Sequence, residues 1–161
     1  MGLTDLSILV LLATGLVFSI IELGLSAWAV DVTPDGNEAN DRFGFLVFCS
    51  VWTIFVTAFL IAFPIYGTAS RGDVERWYSP LTIALNAVTM IFWLAGFAAD
   101  ADLYNGYNPR GTAGALLAFA VMLWLIFLAL LILNILTAIG VLRSDRAGHT
   151  RMTRGKAAAT V

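Results

Sequence analysis

Charged residues are scarce in this sequence. Only 12% of its 161 residues are Asp, Glu, Lys or Arg, about half the share found in soluble domains. Hydrophobic residues make up 60%, and the mean hydropathy is +0.86. The net charge of −2 also leaves no excess of clustered Lys and Arg, on which nucleic-acid binding depends. These features exclude a soluble globular domain and a nucleic-acid partner, and they predict an integral membrane protein.

Cysteine and histidine each occur once, as Cys49 and His149. A single cysteine excludes an intramolecular disulfide framework. A single histidine near the C-terminus excludes both a Ser/His/Asp triad and a histidine metal site from the hydrophobic region. We therefore predict that the protein is not an enzyme and has no catalytic residue, no metal site and no cofactor.

Long hydrophobic runs are what the sequence has in abundance. Four of them approach or exceed the roughly 20 residues that cross a bilayer core of about 30 Å, and short polar segments separate them. The predicted spans are about residues 6–30, 43–66, 81–99 and 113–142. We expect an all-α fold, an integral membrane four-helix bundle with short loops in one domain over residues 5–142. Residues 143–161 are predicted to form a basic, disordered cytoplasmic tail.

The placement of Lys and Arg predicts the orientation of the bundle, because cytoplasmic segments near spans carry an excess of both. Arg42 and Arg110 are the basic residues of the first and third loops, whereas the second loop and the tail hold seven. Those seven are Arg71, Arg76, Arg143, Arg146, Arg151, Arg154 and Lys156. Both termini are therefore expected to be cytoplasmic. The five basic residues of the tail either contact anionic lipid or act only as this topology signal.

One acidic residue, Glu22, lies within the first predicted span, together with a stripe of small and hydroxyl residues. Gly15, Ser19, Glu22 and Ser26 follow a helical period and share one face. Such a stripe is typical of helix interfaces in membranes, so Glu22 is expected to face protein rather than lipid. Two interpretations remain open: a proton-coupled or cation-binding carboxylate, or a protonated or hydrogen-bonded Glu that ties the first helix to its neighbours.

Asn86 in the third span and Asn134 in the fourth are the other strongly polar candidates. They either line a pathway or form hydrogen bonds between helices. Both are expected nearer the cytoplasmic side than Glu22, which argues against a single site made of all three.

Two segments carry a resemblance to a known family: Glu22–Trp28, with the sequence ELGLSAW, and Thr89–Ala98, with the sequence TMIFWLAGFA. With the four-span layout, the chain resembles MARVEL-domain membrane proteins, and it is most similar to the small fungal type related to the yeast non-classical export protein. The resemblance implies membrane organisation without catalysis, in trafficking or in lateral plasma-membrane domains. It also implies association with membrane lipids, including sterol or sphingolipid.

Two other functions fit the span layout. A small proton-coupled multidrug-type exporter would use Glu22 of the first span, and an accessory subunit would join a larger membrane complex. We also expect association with a second copy or with other membrane proteins through Gly111, Gly114 and Ala118. Trp124 and Phe127 are expected to face lipid or another protomer. The long first and fourth spans suit a thick membrane, so a plasma-membrane location is expected.

Overall fold

The computed structural model describes residues 2–34, 36–66, 73–104 and 109–141, with the side chains of 64–66 and 73–78 left out of the description. Four helices account for nearly all of this. They are α1 (Leu3–Val32), α2 (Glu38–Tyr66), α3 (Asp73–Leu103) and α4 (Thr112–Ala138). Each contains a segment long and apolar enough to cross a membrane. The predicted all-α fold of four membrane-spanning helices is thus confirmed.

The helices form a closed ring of neighbours. The main interfaces join α1 with α2, α2 with α3, α3 with α4 and α4 with α1. Short connections make consecutive helices antiparallel, so α1 runs parallel to α3 and lies diagonally opposite it across the bundle. This diagonal matters for the site below, because α1 and α3 carry the buried acidic residues of the spans.

The helices begin and end at other positions than the hydrophobic runs suggest. The first connection was expected over 31–42, but Asp31 belongs to α1 and Arg42 to α2. Likewise α3 begins at Asp73 and continues through Pro80, whereas the predicted third span begins at about residue 81. A helix satisfies its backbone hydrogen bonds whatever its side chains are, so it need not end where hydropathy falls. The fourth helix ends at Ala138, before the expected 142, and Gly140 follows with a φ of +79°.

Phe127 corrects one expectation about the surface, because its side chain is fully buried and not exposed to lipid. It lies on the inward face of α4 against α1, where a Cβ added at Gly15 would be 3.8 Å from its ring. Trp124 is half-buried and packs edge-on against Phe97 of α3, with ring centroids 5.6 Å apart. The large aromatic residues of α4 therefore contribute to packing within the bundle.

The small residues expected to support self-association are also partly used within the chain. A Cβ at Gly114 would lie 2.9 Å from the Pro109 carbonyl oxygen, so this glycine permits a close intramolecular approach. Gly111 adopts a φ of +63° at the start of α4, which glycine tolerates because it has no Cβ. Only Ala118 of the three is a helical residue exposed on the outer surface.

Candidate functional site

Polar side chains line the interior of the bundle. On α1, Ser19, Glu22 and Ser26 are fully buried, together with Gly15. The two serines make hydrogen bonds within their own helix: Ser19 Oγ donates to the Leu16 carbonyl at 2.8 Å, and Ser26 Oγ donates to the Glu22 carbonyl at 2.7 Å. The hydroxyl protons beside Glu22 are therefore directed at the backbone and not at its carboxylate.

The interface between α2 and α3 is joined by two tryptophan–threonine hydrogen bonds. Trp93 Nε1 donates to Thr53 Oγ1 at 2.9 Å, and Trp52 Nε1 donates to Thr89 Oγ1 at 3.0 Å. Each threonine donates in turn to a carbonyl of its own helix. Both indole N–H groups are therefore satisfied inside a membrane-spanning bundle, where an unpaired donor is costly. We refer to these four residues as the α2–α3 seam.

Arg42 lies at the end of this interface that is nearest the first and third connections, where it joins the start of α2 to the end of α3. Its guanidinium donates to the Ala99 carbonyl at 2.7 Å and to Asp102 Oδ2 at 3.0 Å. Glu38 of the same helix is 3.8 Å away and almost fully exposed, so it adds little. Arg42 also acts electrostatically on Asp100, whose negative charge it favours.

Glu22 and Asp100 are the two fully buried carboxylates of the bundle's described interior. They lie on the diagonal helices α1 and α3, close enough to repel each other. None of their four oxygens has a hydrogen-bond partner at acceptable geometry. Glu22 also acts electrostatically on Cys49 of α2. The hydrogen bond that was one interpretation of Glu22 is therefore not found in the described part of the chain.

Tyr104, just beyond the end of α3, is the other titratable neighbour of Asp100. Burial raises the pKa of Tyr104, and the adjacent Asp100 carboxylate raises it further. The tyrosine hydroxyl and the Arg42 guanidinium are thus the two polar groups that act on Asp100 from nearby. No comparable group acts on Glu22 among the residues described.

Asn86 and Asn134 lie apart from the carboxylate pair. Asn86 is fully buried on α3, and neither its amide nitrogen nor its oxygen has a partner. Fourteen positions separate it from Asp100, which is about 21 Å of helix. Asn134 Nδ2 donates to the Leu130 carbonyl of its own helix at 2.7 Å. Within the parts of the chain described, neither asparagine forms a hydrogen bond between helices.

The sequence analysis did not single out Asp100 and Arg42 as site residues. Asp100 is four helical turns after Asn86 on the same face, which could have placed it inside the bundle. Arg42 was assigned to a loop, and no local pattern indicates that it reaches a residue 60 positions later. The tail residues proposed for lipid contact, Arg143, Arg146, Arg151, Arg154 and Lys156, lie outside the described residues.

Four apolar spanning helices around a polar interior define a multi-pass membrane protein. Residues 3–133 match the family model of the MARVEL membrane-associating domain. The chain therefore belongs to the MARVEL family, which is defined by membrane association and not by catalysis. Searches of curated proteins and of solved structures gave no significant match.

Proposed function

We propose that this protein organises membranes without catalysing a reaction, acting in trafficking or in the formation of lateral membrane domains. The observation that carries the proposal is the match of residues 3–133 to a membrane-associating domain. The outward surface of the bundle supports it, because all four helices expose large apolar side chains. The partners that suit such a surface are membrane lipids and other membrane-spanning helices.

One face of α2 offers the most distinctive lipid-contacting surface. Phe48, Val51, Phe55 and Phe59 follow a helical period and are all exposed, and Phe55 reaches 71%. We call these four residues the α2 ridge. Flat aromatic rings exposed to lipid suit contact with rigid apolar molecules, so sterol or sphingolipid environments are the proposed preference of this ridge.

The lengths of the helices support a thick membrane. The spanning segments contain 25–30 residues, or about 37–45 Å of helix. Since the plasma membrane core is a few ångströms thicker than that of the endoplasmic reticulum, these helices tilt less there. We propose a plasma-membrane location on this basis.

The orientation with both termini in the cytoplasm also belongs to this proposal. With this orientation the five basic residues of the tail would be on the side of the anionic inner leaflet, as the lipid-contact interpretation requires. Cysteine labelling tests it in a Cys49→Ala background: Asn37→Cys should react only from outside the cell, and Ala158→Cys only from inside. Labelling of both positions from one side would contradict the orientation.

Partitioning in giant vesicles tests the membrane-organising function. Labelled protein is reconstituted into vesicles with coexisting thick, sterol-rich and thin phases, and its distribution and the domain size are measured. We expect enrichment in the thick phase, reduced by a triple Phe→Leu variant of the α2 ridge. A matched triple variant of exposed aliphatic residues on α1, with Val10, Val17 and Ile20 changed to Leu, should not reduce it. An even distribution of the unmodified protein would contradict the proposal.

Two further measurements test the exporter and the complex-subunit alternatives. Proton-driven efflux from liposomes that depends on Glu22 would favour the exporter, whereas membrane organisation predicts none. The mass of the particle in native membrane discs shows whether the chain associates with itself, as we propose, or with other membrane proteins.

A further inference from the structure

Glu22 is the least compensated polar group in the described interior. Its carboxylate is fully buried and without a hydrogen-bond partner, and its nearest acidic neighbour is the equally buried Asp100 on the opposite helix. Two neighbouring carboxylates without donors cannot both remain ionised in a low-dielectric environment unless positive charge joins them. The question is which positive charge the bundle itself provides.

The charges that face the pair come from few residues. Arg42 and Arg110 are the only basic residues whose side chains the structure describes, and Arg110 is exposed. Arg42 is bound to Ala99 and Asp102 and acts on Asp100. Helix α4 has no charged residue, α2 presents Cys49 to Glu22, and Tyr104 lies beside Asp100. Arg42 is thus shared between its ion pair with Asp102 and its action on Asp100, and no described positive charge acts on Glu22.

The hydrogen-bond donors of the interior do not compensate Glu22 either. The hydroxyls of Ser19, Ser26 and Ser50 all donate to carbonyls of their own helices, so they have only lone pairs left to offer. The Trp124 indole and the Asn86 amide have no partners, so neither of them donates to Glu22. Carboxylate oxygens and the lone pairs of hydroxyl oxygens are ligands that suit a small, hard cation.

We propose that Glu22 is an internal site for one small monovalent cation, supplied as H⁺ or as Na⁺, and that the negative charge of Asp100 favours binding of the cation. One positive charge neutralises the Glu22 carboxylate. A divalent ion fits less well, because no group of three or more His, Cys, Asp or Glu ligands forms among the residues described. This inference is independent of the membrane-organising function.

Thermal unfolding of the full chain in lipid nanodiscs tests for Na⁺. The midpoint is measured at acidic, neutral and alkaline pH in NaCl, KCl and choline chloride of equal ionic strength. If Na⁺ is the ligand, the midpoint rises saturably with NaCl over choline chloride. Glu22→Gln abolishes this rise in the midpoint, and Asp100→Asn reduces it. Asp31→Asn, which changes an exposed acidic residue on the same helix as Glu22, leaves the rise unchanged.

Infrared spectroscopy of the same samples tests for H⁺. If the proton is the ligand, the midpoint of thermal unfolding is the same in NaCl, KCl and choline chloride. The infrared spectrum then shows a protonated-carboxyl band at neutral pH. That band is missing in Glu22→Gln, present in Asp31→Asn, and lost as the pH is raised while the protein stays folded. The wild-type measurements need no variant, so they decide the question even if Glu22→Gln fails to fold.

Two results would overturn the site. One is the absence of both an ion-specific shift and a protonated-carboxyl band. The other is a band that persists, without an ion-specific shift, up to the highest pH at which the protein is folded, because Glu22 would then be permanently protonated and would exchange no cation.

Discussion

The α2–α3 seam and the Glu22–Asp100 pair are two polar regions of the same bundle, and they differ in how their hydrogen bonds are satisfied. In the seam, Thr53 and Thr89 donate to their own helices and still accept from an indole N–H. In the pair, every carboxylate oxygen is buried without a partner. A hydroxyl can satisfy itself on its own helix, whereas a carboxylate offers only acceptors and requires a donor from elsewhere.

This difference indicates separate roles for the two regions. The seam constrains the rotation and depth of α2 against α3, because the two tryptophan–threonine hydrogen bonds form together only in one relative position of the helices. The carboxylate pair stabilises nothing that the described contacts reveal, and buried groups of this kind in membrane helices are functional candidates. The following predictions test the contrast, beginning with the largest expected effect.

Glu22→Leu should stabilise the protein. Since the carboxylate has no partner in the described residues, an apolar side chain removes a buried polar group at no loss of hydrogen bonding, and we expect a gain of about 1–3 kcal/mol. The measurement is the free energy of unfolding in mixed micelles with choline chloride. Glu22→Gln, which keeps a buried polar group, should change it by less than about 1 kcal/mol. A clear loss of stability in Glu22→Leu would show that Glu22 has a partner after all.

Thr53→Val should weaken the seam. The change is nearly isosteric but leaves the buried Trp93 N–H without an acceptor, so we expect a loss of about 1–2 kcal/mol in the same assay. Thr14→Val is the matched control, because Thr14 donates only to the Val10 carbonyl on the outer side of α1 and should change stability by less than about 0.5 kcal/mol. Equal effects of the two variants would mean that the seam adds nothing beyond helix-internal bonds.

Arg42→Gln should lower stability by about 0.5–1 kcal/mol, because Arg42 is partly exposed and its ion pair with Asp102 is screened. The effect should shrink as salt is added. Glu38→Gln is the comparison variant and should be close to neutral, since its carboxylate is 3.8 Å from Arg42 and 88% exposed. A larger loss in Glu38→Gln than in Arg42→Gln would contradict the contacts assigned to Arg42.

Tyr104 should titrate above its ordinary pKa, and Asp100→Asn should bring that pKa back towards the ordinary value. Because the raised pKa favours the protonated tyrosine of the folded state, its contribution to stability is complete below about pH 10 and is lost as the pH rises through the raised value. The measurement is tyrosinate absorbance, with Tyr104→Phe subtracted to isolate the signal. An unchanged titration in Asp100→Asn would leave burial as the only cause.

The class of the protein, its family and the inward face of α1 could all be predicted from the amino-acid sequence. Hydropathy defines the four spans, because only long apolar helices are stable across a bilayer. The period of Gly15, Ser19, Glu22 and Ser26 defines a face, because polar residues on one side of an apolar helix turn away from lipid. The MARVEL resemblance rested on two local segments, and the family match confirms it.

Contacts between residues of different helices could not be predicted from the sequence. Helix α4 is apolar around almost its whole circumference, and the predicted exposure of Phe127 was wrong, although Asn134 and Thr137 of the same face are polar and could have indicated that this face turns inward. Arg42 reaches Ala99 and Asp102, and Asp100 comes to lie near Glu22, through the relative depth and rotation of different helices. The period of a helix gives the direction of its own side chains, whereas depth and rotation are set by packing between helices distant in sequence.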